Sequence, residues 1–127
     1  MGNDISPVLD PETIAALRRA RTEYENPLLI RQLVEIYRTN APKRIEQIRG
    51  AVARHDGRVL AMAAHTLRTN CAMLGATGMA VLCATLEEYG DRAAFDHTAA
   101  VLALVEAEFE RVVSALAQLL TEEPAEM

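Results

Sequence analysis

The sequence predicts an all-α protein, an antiparallel up-down four-helix bundle with a short extra N-terminal helix. Half of the 127 residues are hydrophobic but only 4% are aromatic, and alanine and leucine dominate. β-Branched residues never cluster into the alternating runs that mark strands. Apolar residues instead recur at three- and four-residue steps, in segments joined by short connections. Long helices with short connections run antiparallel to their neighbours.

The first two helices are predicted from paired capping residues and prolines. Asp10 precedes Pro11, so a capping carboxylate stands before a proline suited to the first helical position, and a helix over about 11–21 follows. Asn26 repeats the arrangement before a longer helix, whose apolar pattern continues to Ile48. Pro42 falls inside this helix and is expected to kink it or break it locally. The arginines near the end of the first helix are expected to be solvated: Arg18, Arg19 and Arg21.

The third helix is predicted to begin at the cap Asp56 and to end near Leu74, where Gly75 closes it in a left-handed conformation. Thr77 is the expected cap of the fourth helix, and Gly90 is its expected end.

The fifth helix is expected from about Asp96 to about Leu120. We expect residues 1–127 to form a single domain, with 1–8 and 121–127 as frayed tails.

Composition and charge exclude several classes of function. The net charge is −5 and no basic stripe carries interleaved aromatic residues, so nucleic-acid binding is not expected. No apolar run approaches the ~18–20 residues of a membrane span, and the N-terminus lacks a signal-peptide pattern, so a cytoplasmic protein is expected. Cys71 and Cys83 lack a second ligand pair nearby and are interpreted as reduced core residues rather than a zinc site.

One histidine, His65, lies on the solvent side of the third helix in a helical projection. The apolar residues of this helix form one stripe, and Leu67 on that stripe is about 160° away from His65. Residues three, four and seven positions away share its outer face: Arg58, Ala61, Met62, Arg68, Thr69 and Ala72.

The neighbours of His65 limit what it can do. A core histidine would lie on the apolar stripe, and a metal ligand would need a second ligand one turn away, where this chain has Ala61, Met62, Arg68 and Thr69. A solvated histidine without a function stays open. An exposed, largely neutral imidazole between small and cationic side chains suits acceptance of a phosphoryl group, because it combines a nucleophile, a stabilising charge and room for approach.

The segment "AAHTLRTNCAMLGATGMAVLCATLEEYG" resembles the signature of the histidine-containing phosphotransfer domains of two-component phosphorelays. The family pattern is His-x-Leu-Lys-Gly-Ser-x-x-x-Leu-Gly-Ala, followed by a helix with Leu-Cys and Leu-Glu. The matching residues are His65-Thr66-Leu67-Arg68, Leu74-Gly75-Ala76, Leu82-Cys83 and Leu86-Glu87. The likeness extends over nearly the whole chain.

The resemblance implies a monomeric bundle with no ATPase or kinase site of its own. His65 would accept a phosphoryl group from an aspartyl phosphate on a receiver domain and pass it to the aspartate of a second receiver, with Arg68 stabilising the group. The receiver would supply the magnesium ion, and the bundle would need no cofactor. The outer face of the helix would dock the receiver: Arg58, Ala61, Met62, Thr69 and Ala72.

The chain departs from the family pattern next to the histidine. Arg68 replaces the usual Lys, Thr69 the usual Gly and Asn70 a common Ser. Thr69 is expected to narrow the docking surface and to make the protein selective among receivers. The alternative is that this selectivity lies on the second helix, around Leu33 and Tyr37.

Two alternatives stay open. "HTLRTN" also resembles the phosphoacceptor box of sensor histidine kinases, which would make this a dimeric, kinase-derived phosphotransferase. A bundle that docks receivers without carrying phosphate is the other alternative. His55 and His97 are interpreted as solvated surface histidines.

Overall fold

The computed structural model describes residues 7–124, which form five α-helices and, within that range, no β-strand. The all-α prediction is confirmed. Residues 1–6 and 125–127, which belong to the predicted frayed tails, lie outside the described residues. The helices are α1 Pro11–Glu23, α2 Leu29–Arg54, α3 Gly57–Met73, α4 Thr77–Arg92 and α5 Thr98–Leu120.

The start of α1 follows the prediction, whereas the start of α2 does not. The Asp10 carboxylate accepts hydrogen bonds from the backbone N–H of Thr13, at 3.1 Å, and from its hydroxyl, at 2.7 Å. The hydroxyl contact is the main cause of a lowered Asp10 pKa. Asn26 does not cap α2, which begins at Leu29; its side-chain oxygen instead accepts from the N–H of Leu28 in the preceding turn.

Pro42 does not break α2, so of the two expected outcomes, a kink or a local break, the break is not found. The helix runs without interruption from Leu29 to Arg54, and Pro42 is exposed on its outer side. The neighbouring positions Ala41 and Ile45 are buried in the core, at 0% and 5% exposure. Core packing on both sides of the proline therefore holds the segment helical despite one missing backbone donor.

The ends of α3 match the sequence prediction. The Asp56 carboxylate accepts from the N–H of Val59 at 3.1 Å and caps the helix. Gly75 follows α3 with φ +77°, a left-handed conformation that favours glycine. A Cβ at Gly75 would also meet atoms of Asp10 and Thr13 at 3.0–3.3 Å, so α1 packs closely against this turn.

The predicted cap and end of α4 are both wrong. Ala76 occupies the N-cap position, and Thr77 is the first residue of the helix. No side chain provides a capping hydrogen bond at this end. The helix continues past Gly90 and ends at Arg92, where Ala93 takes a left-handed conformation.

Gly90 is required by the packing of α4 on α3 rather than by a helix end. It is buried inside α4, and a Cβ there would lie 2.6 Å from the backbone nitrogen of Ala61 and 2.7 Å from the carbonyl oxygen of Gly57. Two glycines facing each other thus let the backbones of the two helices approach closely.

All five helices contribute apolar side chains to one core. α3 packs against α2 and α4, and α5 packs against the same two helices. The predicted stripe of α3 is buried, with every member at most 1% exposed: Leu60, Leu67, Cys71 and Leu74. α3 therefore lies in the core on one side and carries its remaining face toward solvent.

The C-terminal residues that the structure describes are held against α1 and α2. The Glu123 carboxylate is buried and forms ion pairs with Arg18 and Arg21, contrary to the expectation that these arginines are solvated. The Arg31 guanidinium donates to the carbonyl oxygens of Leu120 and Pro124 at 3.3 and 3.1 Å. The polar segment 121–124 thus fastens the short α1 to the rest of the molecule.

Candidate functional site

His65 lies in the middle of α3 with its side chain directed to solvent, as the helical projection predicts. Its side chain is 57% exposed, although the preceding residue, Ala64, is fully buried. The imidazole therefore sits on a rigid helical surface that is open to another protein.

Two charged side chains hold the His65 ring. The Glu87 carboxylate on α4 lies 3.0 Å from Nδ1 of His65, and the Arg68 guanidinium lies 3.0 Å from the same atom. Arg68 also donates to Glu87, from Nε to Oε1 at 3.1 Å. The three side chains form a compact triangle across the α3–α4 contact. Glu87 is the most buried of them, at 24% exposure.

The two contacts at Nδ1 of His65 require opposite tautomers. A neutral imidazole has one donor nitrogen and one acceptor nitrogen. Nδ1 must carry the proton to donate to Glu87, whereas it must carry the lone pair to accept from the Arg68 guanidinium, which can only donate. With the proton on Nδ1, Nε2 carries the lone pair and Arg68 keeps its bond to Glu87. Both contacts are made by Nδ1, so neither of them occupies Nε2.

The residues predicted to border His65 lie around it with different exposures. Arg58, Met62, Thr69 and Ala72 are exposed, while Ala61 is half-buried because it packs on Gly90. The Thr69 hydroxyl donates to the backbone carbonyl of His65 at 3.2 Å, so its side chain lies along its own helix.

Sequence reasoning missed three residues of this surface. Glu87 was matched only as part of a Leu-Glu pair, because spacing along one helix cannot show which residue of the next helix it meets. Ile36 and Met73 are 51% and 45% exposed and line a small cleft between α2 and α3. The suggestion that Tyr37 faces a partner is wrong, since its side chain is in the core at 2% exposure.

The other two histidines lie at helix ends. His55 ends α2 with φ +55° and its ring stacks on Phe95, with centroids 4.6 Å apart and planes 3° from parallel. His55 is exposed, as expected for a surface histidine, and one side of its ring packs on Phe95. His97 is exposed at the start of α5.

Both cysteines are buried and free, in agreement with the core interpretation. The Tyr37 hydroxyl donates to the sulfur of Met79 at 3.2 Å and lies 3.7 Å from Cys71 Sγ. Burial is the main cause of the raised Tyr37 pKa, so the phenol stays protonated. These polar groups are satisfied inside the core and are not available for chemistry at the surface.

Within residues 7–124, no three His, Cys, Asp or Glu side chains are grouped so that they could hold a metal ion. In the same range, no helix is both long and apolar enough to cross a membrane.

Comparisons with known proteins show a family and a solved structure to which this chain is similar. The family model of the Hpt domain matches residues 32–121. The crystal structure of histidine-containing phosphotransfer protein B from Pseudomonas aeruginosa PAO1 is similar, with a TM-score of 0.81 and 24% sequence identity. The similarity covers 94% of this chain and 99% of that protein. No curated protein sequence matches the chain.

Proposed function

Because the chain belongs to the Hpt domain family, whose members carry out histidine phosphotransfer in two-component signalling, we propose that His65 is its phosphoacceptor. His65 takes the phosphoryl group from the aspartyl phosphate of one receiver domain and passes it to the aspartate of another. The observation that carries the proposal is an exposed imidazole whose contacts with Glu87 and Arg68 are both made by Nδ1, so that Nε2 is available as the nucleophile.

The transfer step follows from this geometry. The Nε2 lone pair attacks phosphorus, the bond between phosphorus and the aspartyl oxygen breaks, and the receiver recovers its carboxylate. The ring keeps its proton on Nδ1 and becomes positively charged as the new bond forms. The Glu87 carboxylate, 3.0 Å from Nδ1, stabilises that charge. Transfer to the second receiver is the same step in reverse.

Arg68 has two roles in this proposal. Its guanidinium bonds to Glu87 and so helps to fix the carboxylate that orients His65. Its side chain is 39% exposed next to the ring, where its remaining N–H groups can donate to the oxygens of the transferring phosphoryl group. An arginine presents several donors in a rigid fork, which suits these two tasks at once.

The partners in this proposal are receiver domains, which supply the magnesium ion of the reaction, and the relay takes place in the cytoplasm. The docking surface surrounds His65, and its exposed apolar side chains are available to a partner: Ile36, Met62 and Met73. The remaining members are Arg58, Ala61, Thr69 and Ala72.

The architecture that goes with this function is a monomeric, single-domain, antiparallel up-down bundle of α2 to α5, with α1 as the extra helix. Contacts near both ends of the α2–α5 pair support the antiparallel arrangement. Arg31 near the start of α2 bonds to Leu120 at the end of α5, while Arg49 near the end of α2 pairs with Glu106 in the first half of α5.

The test mixes the protein with receiver domains phosphorylated by a small-molecule donor such as acetyl phosphate and follows acid-labile label. Wild-type protein is expected to take up and pass on the label. His65→Gln is expected to take up none while keeping the helical circular dichroism signal, and His55→Gln and His97→Gln are matched controls that keep full uptake. Binding of receivers without any uptake by the wild type would indicate a docking scaffold, and label on His55 or His97 would contradict the assignment.

A further inference from the structure

A second arginine, Arg44, lies in a groove that adjoins the surface of His65. The groove runs between α2 and α3 and is lined by Arg44, Gln47, Val59, Met62, Ala63 and Thr66. Met62 precedes His65 by one turn and Thr66 follows it directly. A protein that covers His65 on this side therefore also covers the groove.

The guanidinium of Arg44 is only partly satisfied. Its Nη1 donates to the side-chain oxygen of Gln47 at 3.1 Å. Its Nε is buried, and no described residue offers it a hydrogen-bond acceptor. A buried N–H without an acceptor costs stability, and a docked partner would reach this guanidinium at its terminal nitrogens instead.

Among residues 7–124, no carboxylate forms an ion pair with Arg44 in this groove. None of the lining residues is acidic, and the sequence of α3 contains no Asp or Glu at all. Three other arginines of the same two helices are paired with a glutamate, whereas Arg31, Arg54 and Arg58 form no ion pair with a described residue. Arg38 pairs with Glu35 and Arg49 with Glu46 within the helix, and Arg68 pairs with Glu87.

We propose that Arg44 is a specificity-determining residue that binds a carboxylate side chain of the docked receiver. The inference rests on the proposed function, since it takes the occupant of the surface to be a receiver. An acidic side chain suits the groove because a carboxylate can accept from a terminal nitrogen of the guanidinium that lines it. The unbalanced positive charge also attracts an acidic partner surface and repels a basic one.

The test compares Arg44→Gln with Lys43→Gln, using the phosphorylated receiver that reacts fastest with the wild type. Both variants remove one positive charge from adjacent positions of α2, but Lys43 is exposed on the outer side of the helix. Arg44→Gln is expected to raise the KM for the receiver by about tenfold, with the rate at saturation nearly unchanged. It is also expected to weaken the salt dependence of KM, whereas Lys43→Gln stays close to wild type in KM.

Two further variants separate a docking role from a packing role. Arg44→Met keeps the apolar stem and is expected to retain the wild-type melting temperature while matching the KM of Arg44→Gln. Arg44→Lys keeps the charge and is expected to restore part of the affinity.

The inference is overturned if KM is unchanged in Arg44→Gln, or if Lys43→Gln raises KM as much. Absence of transfer by the wild-type protein would instead contradict the proposed function itself, so the two failures are distinguishable.

Discussion

The Glu87 carboxylate lies 3.0 Å from Nδ1 of His65, although the two residues are 22 positions apart and on different helices. The contact depends on the close packing of α3 on α4, which brings the start of one helix against the end of the other at Gly57 and Gly90. The surroundings of the His65 ring are therefore set by the helix pair and not by α3 alone.

Removing the Glu87 carboxylate is expected to slow phosphotransfer. Glu87→Ala removes the acceptor for a proton on Nδ1 and the charge that would stabilise the imidazolium, so the rate of label uptake should fall by at least about tenfold. Glu87→Gln keeps a hydrogen-bond acceptor and should be intermediate. Glu88→Ala is the matched control, since Glu88 is exposed on the same helix and pairs with Arg92 instead. Equal rates for Glu87→Ala and wild type would contradict this role.

Arg68 is expected to matter for the rate of transfer and little for stability. The contacts proposed between Arg68 and the phosphoryl group would be charge-assisted and worth about 1.5–3 kcal/mol, so Arg68→Ala should slow transfer by about tenfold or more in single-turnover measurements. Arg92→Ala removes a comparable exposed arginine from α4 and should react like wild type. Unchanged kinetics in Arg68→Ala would remove this residue from the mechanism, whatever its effect on Glu87.

Local sequence signals predicted several local features of the fold correctly, although the expected caps Asn26 and Thr77 were wrong. The capping carboxylates of Asp10 and Asp56 and the left-handed Gly75 each depend on residues within a few positions, and all three are found. The exposure of His65 followed from the spacing of apolar residues within one helix. Such features are encoded by the segment itself, and tertiary contacts did not override them.

Features that depend on contacts between helices could not be predicted in this way. Gly90 resembles a helix end in sequence, but it is needed where α4 meets the backbone of Ala61. Glu87 and Arg44 carry no local sign of the residues they meet, because helical periodicity gives the face of a residue and not its partner on another helix. Core packing likewise kept Pro42 inside a continuous helix.

Thr69 is expected to restrict the range of receivers. It is exposed one turn after His65, and its hydroxyl donates to the His65 carbonyl, which leaves a branched side chain where the family usually has glycine. Thr69→Gly should extend transfer to receivers that the wild type rejects, with the rate to the preferred receiver nearly unchanged. The substitution should cost a few tenths of a kcal/mol in stability. Any gain in transfer to these receivers would therefore reflect easier access to His65 and not a more stable fold. Identical profiles over a panel of receivers would show that selectivity lies elsewhere.

Enlarging Gly90 is expected to affect both stability and transfer. A Cβ there would lie 2.6 Å from the Ala61 nitrogen and 2.7 Å from the Gly57 carbonyl oxygen, which are backbone atoms that cannot move aside without separating the helices. Overpacking of this kind costs about 1–3 kcal/mol and should outweigh the gain of ~1 kcal/mol from the helix propensity of alanine. Gly90→Ala should therefore unfold at a lower denaturant concentration than wild type.

Gly50→Ala is the matched control for this prediction. A Cβ at Gly50 would meet only the guanidinium of Arg54, at 3.0 Å, and that exposed side chain can rotate away. This variant should be more stable than wild type by up to ~1 kcal/mol. Separation of α3 from α4 in Gly90→Ala would also lengthen the contact between His65 and Glu87, so its phosphotransfer should slow while Gly50→Ala transfers at the wild-type rate. A Gly90→Ala protein with wild-type stability and wild-type transfer would show that the close approach of the helices is not required.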